Sequence, residues 1–224
     1  MEIKHLNKNI NIHLYENEVV SDIIKNSKTF FELNFLEYIR KNYSNQKNII
    51  DIGANIGNHS LYFSEYLTYN KIICFEPFLD NYNLLSKNMV DKNCELYNIA
   101  LNDKEEEIPL YNSQKNNNGG FSLHNYNGIS YEVYNKIKTT TLDSYNFNDV
   151  SMIKIDVEGH EIPVLNGAKN TILRNNPIMF IENLAYDYPN LFNINQYDEF
   201  FNSIGYKIID KNIAGSYMDL WIKK

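Results

Sequence analysis

The 224-residue sequence predicts an α/β domain: a doubly wound, mostly parallel seven-stranded sheet with an antiparallel edge strand and a small N-terminal cap. Three observations carry this expectation. Short apolar runs alternate with helix-period segments from residue 48 onward, the rhythm that makes right-handed crossovers onto a parallel sheet. Runs such as Lys71–Phe75 are continuously apolar, as strands covered on both faces are. Acidic residues (Asp51, Glu76, Asp156) stand at or near the C-terminal ends of three runs, where open parallel sheets bind ligands.

Residues 1–47 read as the cap. Ile3, Ile10, Ile12 and Leu14 alternate with polar residues, which suggests a hairpin. Phe31, Phe35, Tyr38 and Ile39 recur at helical spacing, and their rings are expected in the core rather than against a ligand. Residues 48–224 form the main domain. It opens with NIIDIGANIG at 48–57: a strand (Ile49, Ile50, Ile52), a turn between Gly53 and Gly57, then a helix. Glycine permits positive φ and close approach, and the helix start offers unpaired N–H groups, a cradle for an anionic group. The alternative is a tight strand-to-helix turn that holds nothing. A helix over 58–67, a strand ended by Glu76 and Pro77, a helix over 78–90 and a strand over 95–101 follow.

Residues 102–150 break the rhythm and read as a substrate insertion. A short strand is expected at 105–111. The polar, glycine-containing stretch 112–128 is either a functional loop or a solvated one. The rhythm then resumes with strands at 152–156 and 177–182 and helices at 162–174 and 196–203. Two last strands, 206–209 and 218–222, are expected to pair antiparallel at one sheet edge.

Composition narrows the function classes. Hydrophobic residues make up 43% and the net charge is −7, which speaks against an extended nucleic-acid footprint. Cys74 and Cys94 lie inside expected strands with no metal spacing, so both are expected reduced and buried. No secretory h-region opens the sequence and no apolar run has the length to span a bilayer. The expected compartment is the cytoplasm, a host's if the source is viral.

Glu76, ending the second strand, is placed to accept both hydroxyls of a ribose. The glycines run G-x-x-x-G, not the dinucleotide G-x-G-x-x-G, and there is no P-loop lysine. DxGxNxG followed by a strand ending in Glu-Pro instead resembles the first two motifs of class I S-adenosylmethionine-dependent methyltransferases. With NIALND at 98–103, Thr-Leu-Asp at 141–143, IKIDVEGHEIPVLNGA at 153–168 and MFIEN at 179–183, the sequence resembles the FkbM family of methyltransferases. That resemblance implies methyl transfer from S-adenosylmethionine to a hydroxyl, often on a sugar or glycosylated small molecule. By position it implies Asp51, Gly53, Asn55 and Gly57 at the amino-acid end of the cofactor, Glu76 on the ribose, and Phe78, Asn98 and Ala100 near the adenine.

A sugar hydroxyl needs a base or a metal to become a nucleophile. Candidate bases are Asp156, Glu158 and His160. Asp156, Glu182 and Asn183 form a hard-oxygen set suited to Mg²⁺, resembling the metal site of catechol-type O-methyltransferases; alternatively the acids bind substrate hydroxyls. His160 is a base or only a helix-start residue, and His124 has the same two readings within its loop. His5, His13 and His59 show no partners in the sequence and read as structural. The competing functions are a cofactor-binding module without turnover, and a methyltransferase acting on protein or RNA. The expected partner is a sugar, glycan or glycosylated small molecule, with no nucleic acid.

Overall fold

The computed structural model describes residues 1–112, 121–123 and 132–224. Strands β1 (Glu2–His5) and β2 (Lys8–Asn11) form the expected hairpin. Leu6 and Asn7, at its two-residue turn, both adopt positive φ, as twisted hairpins favour. Helix α1 (Val19–Ser27) has no counterpart in the sequence reading: only Ser21 and Ile24 are buried along it, too little for an apolar stripe. Its start is fixed by the Glu18 carboxylate, which accepts from Val20 N and Ser21 N. Helix α2 (Leu33–Asn42) buries Phe35, Leu36 and Ile39.

The main body then runs β3 (Asn48–Ile52), α3 (Asn58–Tyr66), β4 (Lys71–Phe75), α4 (Leu79–Asn88) and β5 (Cys94–Tyr97). An accessory segment follows: β6 (Ala100–Leu101), β7 (Glu107–Asn112), β8 (Phe121–Ser122) and β9 (Glu132–Thr140). The chain returns through β10 (Val150–Ile155), α5 (Glu161–Gly167), α6 (Lys169–Asn175), β11 (Ile178–Glu182), α7 (Asp198–Ser203), β12 (Tyr206–Asp210) and β13 (Met218–Lys223).

The seven-stranded sheet has the order β12-β13-β11-β10-β3-β4-β5. Every neighbouring pair is parallel except those made by β13. Strand order reverses between β3 and β10, which opens a crevice at their C-terminal ends. Alternation along the strands divides the core. Ile49, Ile72, Met152 and Phe180 face a layer formed with α2, α3 and the hairpin residues Ile3 and Ile10. Ile50, Ile73, Ile153 and Ile181 face Val164, Leu165, Ile172 and Phe201 on the opposite side. The N-terminal hairpin thus shares the apolar core of the sheet. Of the cysteines, Cys74 is buried, Cys94 is half-buried, and both are free. No helix among the described residues is long and apolar enough to cross a membrane.

The fold class is as expected, with refinements. The antiparallel strand, β13, lies one place in from the edge and β12 is outermost. The burial of each fits: β13 buries its first four residues, whereas β12 exposes or half-exposes all but Tyr206. The expected strand over 95–101 is two strands in two sheets. The chain turns at Asn98, whose Nδ2 donates to Glu76 O and Pro77 O. The expected helix over 162–174 breaks at the buried Ala168. Strands β6, β9, β7 and β8 make a separate small sheet, in which the unforeseen β9 pairs antiparallel with β7. Much of the loop expected at 112–128, His124 included, lies outside the described residues.

Gly167 packs α5 against the start of the accessory segment: a Cβ there would lie 1.9 Å from Asn102 O. Backbone cannot yield as a flexible side chain does. Gly167→Ala is therefore expected to destabilise the protein by at least about 1–3 kcal/mol, read as a lower denaturant midpoint at unchanged slope.

A candidate active site at the strand-order reversal

The site begins where β3 ends. Gly53 takes φ +76°, and Gly53 N and Ala54 N both donate to Phe75 O at the tip of β4. A Cβ on Gly53 would lie 1.8 Å from Asp156 O, so only glycine lets the turn cross the end of β10. Gly57, at φ +87°, is needed for another reason, because it starts α3 and leaves room for Leu85 of α4.

Beneath this turn lies a buried lysine. Lys154 sits on β10 in register with Asp51 on β3; the two are 2% and 0% exposed. Lys154 Nζ reaches Gly53 O at 3.0 Å, Asp51 Oδ1 at 3.1 Å and Asp156 Oδ2 at 3.2 Å, three acceptors for three ammonium protons. Burial alone would lower the lysine pKa, but the Asp156 and Asp51 carboxylates overcome it and hold the ammonium above its ordinary range. Ser60 Oγ donates to the other Asp51 oxygen. Asp51 is not among the residues of the cavity wall described next; it anchors Lys154 from below.

Above the turn opens a cavity of about 310 Å³. Gly53, Asn55, Glu76 and Ala100 line one half, together with the apolar Ile99 and Leu101. Glu76 Oε2 accepts from Asn55 N at 2.8 Å and Oε1 from Phe78 N at 2.9 Å, which fixes the carboxylate and leaves lone pairs for a ligand. Burial pushes Glu76 up to about 7, against the pull of those backbone bonds. Three expected contacts are not in this wall. Gly57 faces α4, Phe78 sets its ring edge-on to Tyr134 at 5.2 Å, and Asn98 braces the backbone of Glu76 and Pro77.

The other half is acidic. Asp156, Glu158, Glu182 and Glu32 contribute to it, with His160, His59 and Tyr217. Glu158 occupies a left-handed turn at φ +54°. Burial first, then the charges of Asp156 and Glu161, push it up to about 8. Burial and the Asp156 and Glu158 charges likewise drive Glu182 well above the carboxylate range. Glu182 Oε2 is buried with no hydrogen-bond partner among the described residues. Glu161, unremarked in the sequence, holds the turn together: its Oε1 accepts from Val157 N and Gly159 N, both at 3.1 Å. His160 Nε2 lies 3.1 Å from Asn102 Oδ1, so both a cavity position and a local partner are present. Two histidines that show no partner in the sequence are paired: His5 with Glu37 at 2.9 Å and His59 with Glu32 at 3.2 Å.

The expected Mg²⁺ set does not assemble. Asn183 is fully buried and turned aside: Nδ2 donates to Ile194 O and Asp219 Oδ2, and Oδ1 accepts from Ala185 N. Asp156 is engaged by Lys154. Among the described residues, no group of three or more His, Cys, Asp or Glu side chains is placed to hold a metal ion. Asp156, Glu182 and Asn183 therefore do not fit the cation.

Sequence reasoning missed the cap's share of the site. Val19, Val20, Phe31 and Glu32 line the cavity, and Phe31 is a wall residue rather than only core. An acid directly after two phenylalanines was the available signal. Lys154 was missed too, although a lysine inside the apolar run MIKID demanded a buried counter-charge.

A family model, the methyltransferase FkbM domain, matches residues 51–208. Three solved structures share the fold. A methyltransferase FkbM from Methylobacillus flagellatus KT has 16% identity and a TM-score of 0.57, over 79% of this chain and 43% of that one. The chain thus spans less than half of that protein's length. An O-methyltransferase from Bacillus cereus, solved in complex with SAH, has 11% identity and a TM-score of 0.54, over 92% and 89% of the two chains. A ribosomal protein L11 methylase from Lactobacillus delbrueckii subsp. bulgaricus has 8% identity and a TM-score of 0.51, over 85% and 76%. No curated protein matches the sequence.

Two outcomes are expected. Lys154→Met strands Asp51 and Asp156 without their cation and should cost about 3–5 kcal/mol in denaturant unfolding. The second concerns pH. Glu76, Glu158 and Glu161 have folded pKa values of about 7, 8 and 7, all above the ordinary 4.5. Their stabilising contribution is complete below about 4.5 and is lost as pH rises through 7–8. The melting temperature of the ligand-free protein should fall between pH 5 and 8.5, and Glu158→Gln should flatten that fall.

Proposed function

The chain belongs to the FkbM methyltransferase family, and from that premise we propose that it carries a methyl group from S-adenosylmethionine to a hydroxyl of a sugar or glycosylated small molecule. One observation carries the reading: the glycine turn and Glu76 face one half of a single cavity whose other half is walled by Asp156, Glu158 and Glu182. When bound, the cofactor supplies an electrophilic methyl on a sulfonium. Glu76 would accept hydrogen bonds from the ribose hydroxyls, Ile99 and Leu101 would shield the adenine, and the Gly53–Asn55 turn would hold the amino-acid end, all of them residues of this cavity wall. Among the described residues, acidic side chains outnumber cationic ones in this wall, and a positively charged cofactor would favour their ionised forms where a phosphodiester acceptor would oppose them.

At the acidic end the acceptor hydroxyl gives its proton to Glu158. A carboxylate pushed up to about 8 is a far stronger base than an ordinary one and is matched to neutral operation. Glu182 orients the ring by accepting from a neighbouring hydroxyl. Placement of acceptor oxygen against the methyl supplies much of the rate. His160, held by Asn102, borders the same space and positions the turn that carries Glu158.

Calorimetry with S-adenosylhomocysteine should show one site, weakened roughly tenfold or more by Glu76→Ala, as loss of hydrogen bonds to a charged group does. Glu158→Gln should cut kcat by about 10²–10⁴ with cofactor affinity retained. Wild-type kcat/KM should climb as pH rises towards 8, because the base acts ionised. No heat from the nucleoside, or full activity in Glu158→Gln, overturns the assignment.

A further inference from the structure

We propose that Glu32, in the N-terminal cap, is the residue that holds the α-ammonium of bound S-adenosylmethionine. The inference rests on the cofactor reading above, which gives the ribose to Glu76 and the amino-acid end to the Gly53–Asn55 turn, and it assigns that end a charged partner. Glu32 stands directly before α2, in the helix-capping position, and Leu36 N donates to its carbonyl at 3.1 Å. A carboxylate there ordinarily accepts from the first N–H groups of the helix, as Glu18 does on α1. The Glu32 side chain makes no such bond; it belongs to the wall of the cofactor cavity and keeps 19% of its surface accessible. Its backbone is also unusual: φ is +54°, a left-handed conformation that costs energy for a residue with a side chain and persists only where the surroundings impose it.

Asn58 supplies the restraint. It is the first residue of α3, directly after the glycine turn, and it is buried. Its Oδ1 accepts from Phe31 N at 3.0 Å and its Nδ2 donates to Phe31 O at 3.1 Å. The helix that the turn opens thus clamps the residue before Glu32. His59, next along α3, brings Nε2 to 3.2 Å from Glu32 Oε2 but without hydrogen-bond geometry, so the carboxylate keeps lone pairs for a ligand. The charge of Glu32 is among those that push Glu158 and Glu182 up, which sets it on the β10–β11 side of the turn, whereas Glu76 follows β4. Of the other acids on that side, Asp156 is engaged by Lys154, and burial favours the protonated forms of Glu158 and Glu182. Glu32 is the acid left to face a cation. The amino-acid end of the cofactor carries one, its ammonium, for which a carboxylate is a charge-assisted acceptor; the α-carboxylate would be repelled.

The test is calorimetry on the full chain with three probes: S-adenosylhomocysteine, its deaminated analogue with hydrogen in place of the α-amino group, and methylthioadenosine, which keeps the nucleoside and lacks the amino acid. Glu32→Gln removes the charge at nearly constant shape. Wild type should bind the deaminated analogue roughly tenfold or more weaker than S-adenosylhomocysteine, and Glu32→Gln should weaken S-adenosylhomocysteine by a similar factor. The two changes delete one interaction, so the deaminated analogue and methylthioadenosine should lose no more than about twofold in the variant. The loss should also survive high salt, which screens a distant charge far more than a contact. Unchanged S-adenosylhomocysteine affinity in Glu32→Gln overturns the assignment. So does a wild type indifferent to the amino group, a loss that high salt abolishes, or a loss shared equally by methylthioadenosine, which marks a general effect on the cavity. In each of those cases the cofactor reading stands. If wild type binds none of the three probes, that reading falls and the assignment with it.

Discussion

A single ammonium holds the centre of this molecule together. Lys154 lies between Asp51 and Asp156 and also takes the carbonyl oxygen of Gly53. Charges so buried are tolerable only when every proton and most lone pairs are matched, and here the matching also sets geometry. It locks β10 to β3 in register, presses the glycine turn onto the end of β10, and turns Asp51 inward. The cavity is therefore lined by the backbone of the turn rather than by the Asp51 carboxylate. Gly53 belongs to the same constraint, since any side chain would push the turn off Asp156.

The acid-rich half of the cavity shows what such a scaffold carries at the site. Glu158, Glu161 and Glu182 crowd around Asp156, and burial with mutual repulsion keeps their protons on at higher pH than usual. Perturbed carboxylates of this kind gather where proton transfer or a cationic ligand is needed. Glu161 answers to backbone N–H groups, and Glu158 and Glu182 belong to the cavity wall, so one cluster separates into a residue that shapes the turn and two that line the cavity.

How far the sequence discloses this depends on the range of the interaction. Gly53, Asn55 and Glu76 were readable because a turn and a strand end are local events with local residue requirements. The sheet followed from continuous apolar runs whose alternation needs no distant knowledge. The pairing of Asp51 with Lys154 was not legible, because a strand-end acid turns according to its neighbour, and that neighbour lies on β10, far along the chain. Asn183 was misread as a ligand for the same reason: Asp219 and the Ile194 carbonyl claim its amide. The cap's contribution was hidden because Phe31 keeps a helix-period spacing while lining a cavity. β9 was invisible because its exposed residues, Val133 and Tyr134 among them, do not alternate with polar ones as a half-buried strand should.

The separation of Asp51 from its lysine also bears on how the chain is made. A ribosome releases β3, β4 and β5 long before β10, so the first half of the sheet emerges with a carboxylate destined for the interior and no cation to meet it. Parallel pairings between such distant segments close late. The nascent N-terminal half must wait, hydrated and incomplete around Asp51, until Lys154 clears the exit tunnel. Synthesis thus ties commitment of this core to a strand encoded two-thirds of the way along the message.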